Sequence, residues 1–107
     1  MANQINPEKF SPLVSVVMAV YNGSPLVNEA IHSILNQSYL NLEFIIIDDG
    51  STDDTNQILH SFNDARIRIF TQPNQGLSKS LNFGICQAKG KYIARQDHDD
   101  ISLRHRL

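Results

Sequence analysis

The sequence predicts an α/β domain of three layers, with helices on both faces of a mostly parallel sheet. Short apolar runs rich in β-branched residues recur at Leu13–Val20, Leu42–Ile47 and Ile67–Thr71, with a fourth at Tyr92–Arg95. Between them lie segments whose apolar residues follow the helical period. The first two runs are apolar almost without a break, as strands covered on both faces must be. Strand–helix alternation three times over implies right-handed crossovers and parallel pairing.

Each element has its own signals. Residues 1–12 form a polar leader without the apolar centre of a secretory signal, and the domain proper occupies residues 13–107. Leu13–Val20 (LVSVVMAV) is the first strand, broken by Tyr21-Asn22-Gly23. Ser24 is placed to cap the next helix, with Pro25 at its first position, where a missing N–H is harmless. Val27, Ala30, Ile31, Ile34 and Leu35 mark that helix's buried face. Leu42–Ile47 ends at Asp48-Asp49-Gly50. Ser51 and Asp54 have capping-box spacing before a second helix, with Ile58, Leu59 and Phe62 inward. Ile67–Thr71 alternates and reads as a strand near a sheet edge. Gln72–Gly76 is turn-rich. Leu77, Leu81, Ile85 and Ala88 mark a third helix, stopped by Gly90. Tyr92–Arg95 runs into Gln96-Asp97-His98-Asp99-Asp100.

Composition narrows the function. With 107 residues, 41% hydrophobic and 19% charged, the chain has enough apolar surface for a packed core. A net charge of −2 argues against nucleic acid as a partner, which needs a basic excess. A single cysteine excludes an intrachain disulfide framework and a thiolate zinc knuckle. No apolar stretch approaches the roughly 20 residues that span a bilayer, and the expected location is the cytoplasm, including the inner face of the membrane.

The acids are clustered. Seven of the eleven carboxylates fall in Asp48–Asp54 and Asp97–Asp100, an arrangement that repels itself unless a cation, donors or a helix N-terminus stabilises it. Ligands of parallel α/β sheets sit beyond the carboxyl ends of the strands. Both clusters, Tyr21-Asn22 and the 74–76 loop all follow strands, so they converge on one rim.

Asp97 and Asp99 fit a hard divalent cation, Mg²⁺ or Mn²⁺, held by carboxylates plus substrate phosphates; an ordinary acidic turn fits them too. Asp53 and Asp54 suit a helix N-terminus, and Asp48 suits backbone bonding. Asp49 is the better ligand contact, because a carboxylate accepts the ring N–H of a pyrimidine and Tyr21 offers an aromatic surface nearby. His98, between two acids, either touches a ligand or faces solvent. Lys79 either reaches a diphosphate or is a solvated lysine. Arg95 is placed to pair with the acidic cluster. His32, His60 and His105 have no metal-ligand spacing and read as surface or interface residues, and Cys86 reads as a small core residue.

Two α/β alternatives fail on particular residues. A dinucleotide-binding oxidoreductase wants G-x-G-x-x-G after its first strand, where this chain has Tyr21-Asn22-Gly23-Ser24-Pro25. A phosphoacceptor signalling domain wants acids at that same place. A nucleotide-binding remnant without catalysis stays open.

Four ordered segments, VSVVMAVYN (14–22), IIIDDGST (45–52), NQGLSKSLN (74–82) and GKYIARQDHDD (90–100), resemble the successive motifs of glycosyltransferase family 2. The resemblance implies the GT-A fold, here incomplete, and inverting transfer from a UDP-activated sugar to a saccharide or lipid-linked acceptor. It implies that Ala19, Tyr21 and Asn22 line the base pocket and that Asp49 contacts uracil. Asp97 would approach the ribose and the metal, and Asp99 would ligate a Mn²⁺ or Mg²⁺ ion bridging the diphosphate. His98 fills the variable middle position, and Lys79 is carried over at a variable one. The general base is expected beyond Leu107, which would leave these residues alone inactive, and the uncovered side of the fourth strand is expected to favour self-association. Polysaccharide or glycolipid synthesis is the setting by analogy with the family.

Overall fold

A computed structural model describes residues 11–107 of the chain, so the polar leader, apart from its last two residues, lies outside the described part. Four strands, β1 (Val14–Val20), β2 (Leu42–Asp48), β3 (Ile67–Thr71) and β4 (Tyr92–Arg95), alternate with helices α1 (Leu26–Leu35), α2 (Thr55–His60) and α3 (Leu77–Gln87). They form one sheet in the order β3-β2-β1-β4, and every pairing is parallel. The chain steps outward from β1 to β3 and then returns to the far side of β1, so the topological switch point lies between β1 and β4.

β1 and β2 are central and buried on both faces, as their unbroken apolar runs require. Alternation along the strands divides the core. Val16, Met18, Val20, Phe44 and Ile46 face α1 and α2, where Val27, Ala30, Ile31, Ile34 and Leu59 complete the larger cluster. Val17, Ala19, Ile45 and Ile47 face the other way, toward Leu81, Ala88 and Phe70. At about 25 cal/mol per Å² of apolar surface buried, the α1 side carries most of the hydrophobic stabilisation. No helix among the described residues is long and apolar enough to cross a membrane.

The helix signals need correction. Ser24 does not cap α1. Pro25 precedes the first helical residue without a side-chain cap, and the Gly23 carbonyl takes the Val27 N–H at 2.8 Å. The Ser51–Asp54 box does not form either, because α2 starts at Thr55 and ends at His60, short of Phe62. Ser51 is engaged elsewhere: its hydroxyl accepts the Asn22 N–H at 3.0 Å and its own N–H donates to Asp48 Oδ1 at 3.0 Å.

On α3, Leu77 and Ile85 are exposed, while the buried positions are Ser80 and Gly84. The reason is proximity. A Cβ on Gly84 would stand 2.5 Å from Val17 Cγ1, so the helix lies against the sheet through its small residues. Cys86, expected in the core, is exposed. Gly90 is not the helix stop; α3 closes with Ala88 in an extended conformation, and the Gly90 N–H donates to Ser15 Oγ at 2.8 Å.

That last bond belongs to a buried polar staple on the α3 side. Glu43 accepts from Ser15 Oγ (2.6 Å), the Lys89 N–H (2.7 Å) and Arg68 Nη1 (2.9 Å), and Arg68 also donates to the Gln87 carbonyl. Burial pushes the Glu43 carboxyl up, but the Ser15 hydroxyl, the Lys89 amide and the Arg68 guanidinium together hold it below the ordinary glutamate range.

Candidate functional site

The rim at the carboxyl ends of β1, β2 and β3 is level, because Val20 pairs with Asp48 and Asp48 with Thr71. A cavity of 220 Å³ opens beside the switch point, lined by Ala19, Val20, Tyr21, Asp49, Leu77 and His98. These come from β1 and its following turn, the end of β2, the start of α3 and the turn after β4. Its volume is below the ~300–1,000 Å³ of pockets that bury whole drug-sized ligands, and it suits one ring of a larger ligand.

Asp49 is 3% exposed at the cavity wall and is held by the 72–76 loop. Its Oδ1 accepts the Gln75 N–H at 2.8 Å and Gln72 Nε2 at 3.1 Å; its Oδ2 accepts the Gly76 N–H at 2.9 Å and Asn74 Nδ2 at 3.2 Å. Burial raises its pKa, but the Gln75 N–H, Gln72, the Gly76 N–H and Ser80 outweigh it, so the carboxyl stays below the ordinary aspartate range. All of these donors follow Asp49 by more than twenty residues in the chain, so only the folded rim brings them to it. A carboxylate offers about four lone-pair sites. A ligand N–H reaching Asp49 therefore takes the place of a chain donor, and the long, side-chain bond from Asn74 is the easiest to exchange.

His98 turns to the cavity rather than to solvent. Its ring packs on Gly23, where a Cβ would meet His98 Cδ2 at 2.9 Å and Val20 Cγ2 at 2.5 Å, so glycine at position 23 makes room for this wall. Tyr21 and Ala19 line the same cavity. Asn22 does not. It sits at a positive φ of 51°, a region Asn tolerates. Its Oδ1 accepts the Thr52 N–H at 2.7 Å and the Asp53 N–H at 3.3 Å, bracing the turn after β1 against the turn after β2. Lys79 is exposed on α3 and does not line the cavity. Leu77 and Val20 line it too, although the sequence marks them only as helix and strand residues.

The turn after β4 stands between two openings. His98 lines the small cavity, while Asp97 and Asp100 line a groove of 730 Å³ that continues along Ile101–Arg106. Asp97 accepts from Arg95 Nε at 3.1 Å, a half-exposed pair. No hydrogen bond or ion pair of the described residues engages the Asp99 carboxylate. Among the described residues no group of three or more His, Cys, Asp or Glu side chains is placed to hold a metal ion. What the turn offers is three carboxylates, of which, among the described residues, only that of Asp97 is paired. That fits a Mg²⁺ or Mn²⁺ ion, which keeps several positions for water and phosphate oxygens.

Comparison with known proteins agrees with this fold. The family model described as Glycosyl transferase family 2 matches residues 15–107. The chain is 45% identical over 98 residues to an uncharacterised glycosyltransferase of Rickettsia typhi, covering 92% of this chain and 30% of that protein. It is 44% identical over 94 residues to glycosyltransferase GlyG of Streptococcus pneumoniae serotype 4, covering 85% and 31%. Among solved structures, Staphylococcus aureus TarS in complex with UDP-GlcNAc superposes with a TM-score of 0.78 at 29% identity, over 82% of this chain and 27% of that one. A mannosyltransferase of Pyrobaculum calidifontis in complex with GDP-Man and Mn²⁺ gives 0.79 at 26% identity, over 88% and 29%. The chain spans about 30% of the length of these two curated relatives.

Proposed function

The chain belongs to glycosyltransferase family 2 and has the GT-A fold, and from that premise we propose that its rim holds the UDP-activated sugar donor of an inverting glycosyl transfer. The observation that carries this reading is a one-ring cavity, ending in an ionised carboxylate, placed directly beside an acidic turn with an unpaired oxygen donor. A nucleoside diphosphate needs these two environments side by side. The relatives solved with UDP-GlcNAc and with GDP-Man and Mn²⁺ support a nucleotide sugar as the ligand.

In this reading Tyr21, Ala19 and His98 enclose the base, and Asp49 accepts its ring N–H in exchange for Asn74. Asp97 faces the ribose, and Asp97 with Asp99 would hold a Mn²⁺ or Mg²⁺ ion. When bound, that ion supplies positive charge to the diphosphate leaving group. Asn22 serves the site by fixing the turn that carries Tyr21. Lys79 has room to swing toward a phosphate from its exposed place on α3. The acceptor is a saccharide or glycolipid hydroxyl that attacks the anomeric carbon from the face opposite the leaving group.

Base choice is the sharpest test. Cytosine presents a ring-nitrogen lone pair where uracil presents the imide N–H that Asp49 would accept, so CDP sets two acceptors face to face and forgoes a hydrogen bond to a charged group, which contributes about 1.5–3 kcal/mol. Calorimetric titration should find UDP bound at least about tenfold more tightly than CDP. Equal affinities would return Asp49 to a purely loop-holding role.

A further inference from the structure

Gln96 is the first residue beyond β4, and its N–H extends the ladder to β1 by donating to the Val17 carbonyl at 3.0 Å. It is 2% exposed, and its amide is fully used. Nε2 donates to the Asp97 carbonyl at 3.1 Å and to the Asp100 carbonyl at 2.8 Å. Oε1 accepts from Ser102 Oγ at 2.6 Å and from Arg106 Nη1 at 2.9 Å. A side-chain amide has two donor hydrogens and two acceptor lone pairs, so nothing is left for a ligand. This is a side chain that acts on its neighbours.

The two donations bracket one short segment. Together with the Asp100 N–H, which donates to the Asp97 carbonyl at 3.2 Å, they close residues 97–100 into a fixed turn. Three carboxylates so close in sequence repel one another and favour an open, extended loop. The acceptor side of the amide anchors the turn to the rest of the fold. Arg106 Nη2 reaches the Arg95 carbonyl at 2.6 Å, and the Ser102 N–H donates to Ser33 Oγ on α1 at 3.0 Å.

We propose that Gln96 is a positioning residue for the divalent-cation site: its amide holds the 97–100 turn in the one shape that presents the Asp97 and Asp99 carboxylates together. This deepens the donor-site reading above and rests on it. Partners that orient metal ligands without touching the metal typically contribute ~10–100-fold to metal affinity.

The test is calorimetric titration of UDP into the 107-residue chain, once with MnCl₂ and once with EDTA, for wild type and three variants. Gln96→Glu keeps both acceptor positions toward Ser102 and Arg106 but cannot donate to either turn carbonyl. Gln96→Asn keeps an amide one methylene too short to reach both, and decides the matter if Gln96→Glu does not fold. Ser102→Ala removes one anchor and leaves the donations intact. The wild type should bind UDP more tightly with Mn²⁺ than in EDTA. Both Gln96 variants should lose about 10–100-fold of that enhancement, beyond any loss of affinity they show in EDTA, and Ser102→Ala should keep it. A folded Gln96 variant with full enhancement, or one that loses affinity equally in EDTA, overturns the positioning role. A wild type without any enhancement overturns the cation site itself, and this inference with it.

Discussion

The turn after β2 and the turn after β4 carry the same kind of side chain on the same rim and are built in opposite ways. Asp49 is buried and receives four hydrogen bonds from a loop distant in sequence. In the other turn, Gln96 bonds the backbone, while Asp97 has one exposed arginine and Asp99 has no partner among the described residues. The first turn spends its donors on the carboxylate and the second spends them on the main chain. A carboxylate saturated with N–H groups stabilises the fold and accepts a ligand proton only by exchange. A carboxylate whose backbone alone is held is available to a cation.

The comparison is broken most severely at Asp49. Asp49→Ala leaves the Gln75 and Gly76 N–H groups without their acceptor and should cost about 3 kcal/mol of folding stability, measured by urea denaturation. A loss near zero would show that the 72–76 loop holds itself. Acid should reproduce part of that loss. The folded pKa values of Asp49 and Glu43 lie below their unfolded values. Their stabilisation is therefore complete above the ordinary carboxylate range of about 4 and drains away as pH falls through the lowered folded values. Stability should be flat from neutrality to about pH 5 and fall below pH 4, with a shallower fall in the Asp49→Ala variant.

The open turn should show the reverse pattern. Asp99→Asn should leave the urea midpoint unchanged and reduce UDP affinity in Mn²⁺ by about tenfold or more, down to the value in EDTA. A shift of the midpoint with no change in metal dependence would mean that the two turns are alike. The smallest effect is expected at Arg95, whose guanidinium would compete for Asp97 with a cation bound as proposed. Exposed pairs contribute only about 0.2–1 kcal/mol, so Arg95→Ala should strengthen Mn²⁺-dependent UDP binding by no more than about fivefold. Weaker binding would make Arg95 part of the site.

Much of this arrangement was legible in the chain. Unbroken apolar runs in β1 and β2 announce strands covered on both faces, and the order of strands and helices places both acidic turns on one rim. What escaped was what depends on distance in space. The small residues Ser80 and Gly84, not Leu77 and Ile85, meet the sheet, because α3 lies too close for large side chains there. The serines at 24 and 51 have the right identity for caps, but backbone carbonyls and a neighbouring turn reach those positions first. The saturation of Asp49 and the amide hub at Gln96 were invisible, since a hydrogen-bond partner many residues away leaves no periodic trace. The resemblance to glycosyltransferase family 2 implies that Asn22 lines the base pocket, whereas its amide braces two turns beside it.

The Glu43 staple has a consequence for the order in which the molecule opens. Its members come from β1, β2, β3 and the segment after α3, so it exists only when all four are assembled. The Lys89 and Gly90 amides lie outside any helix or strand, yet their hydrogens are lodged on Glu43 and Ser15. Lifting that loop would strip Glu43 and Ser15 of two donors and leave a largely buried carboxylate short of partners. In hydrogen exchange these two loop amides should be slower than an unbonded connecting segment, and so the linker between α3 and β4 reports on how firmly Glu43 and Ser15 are held.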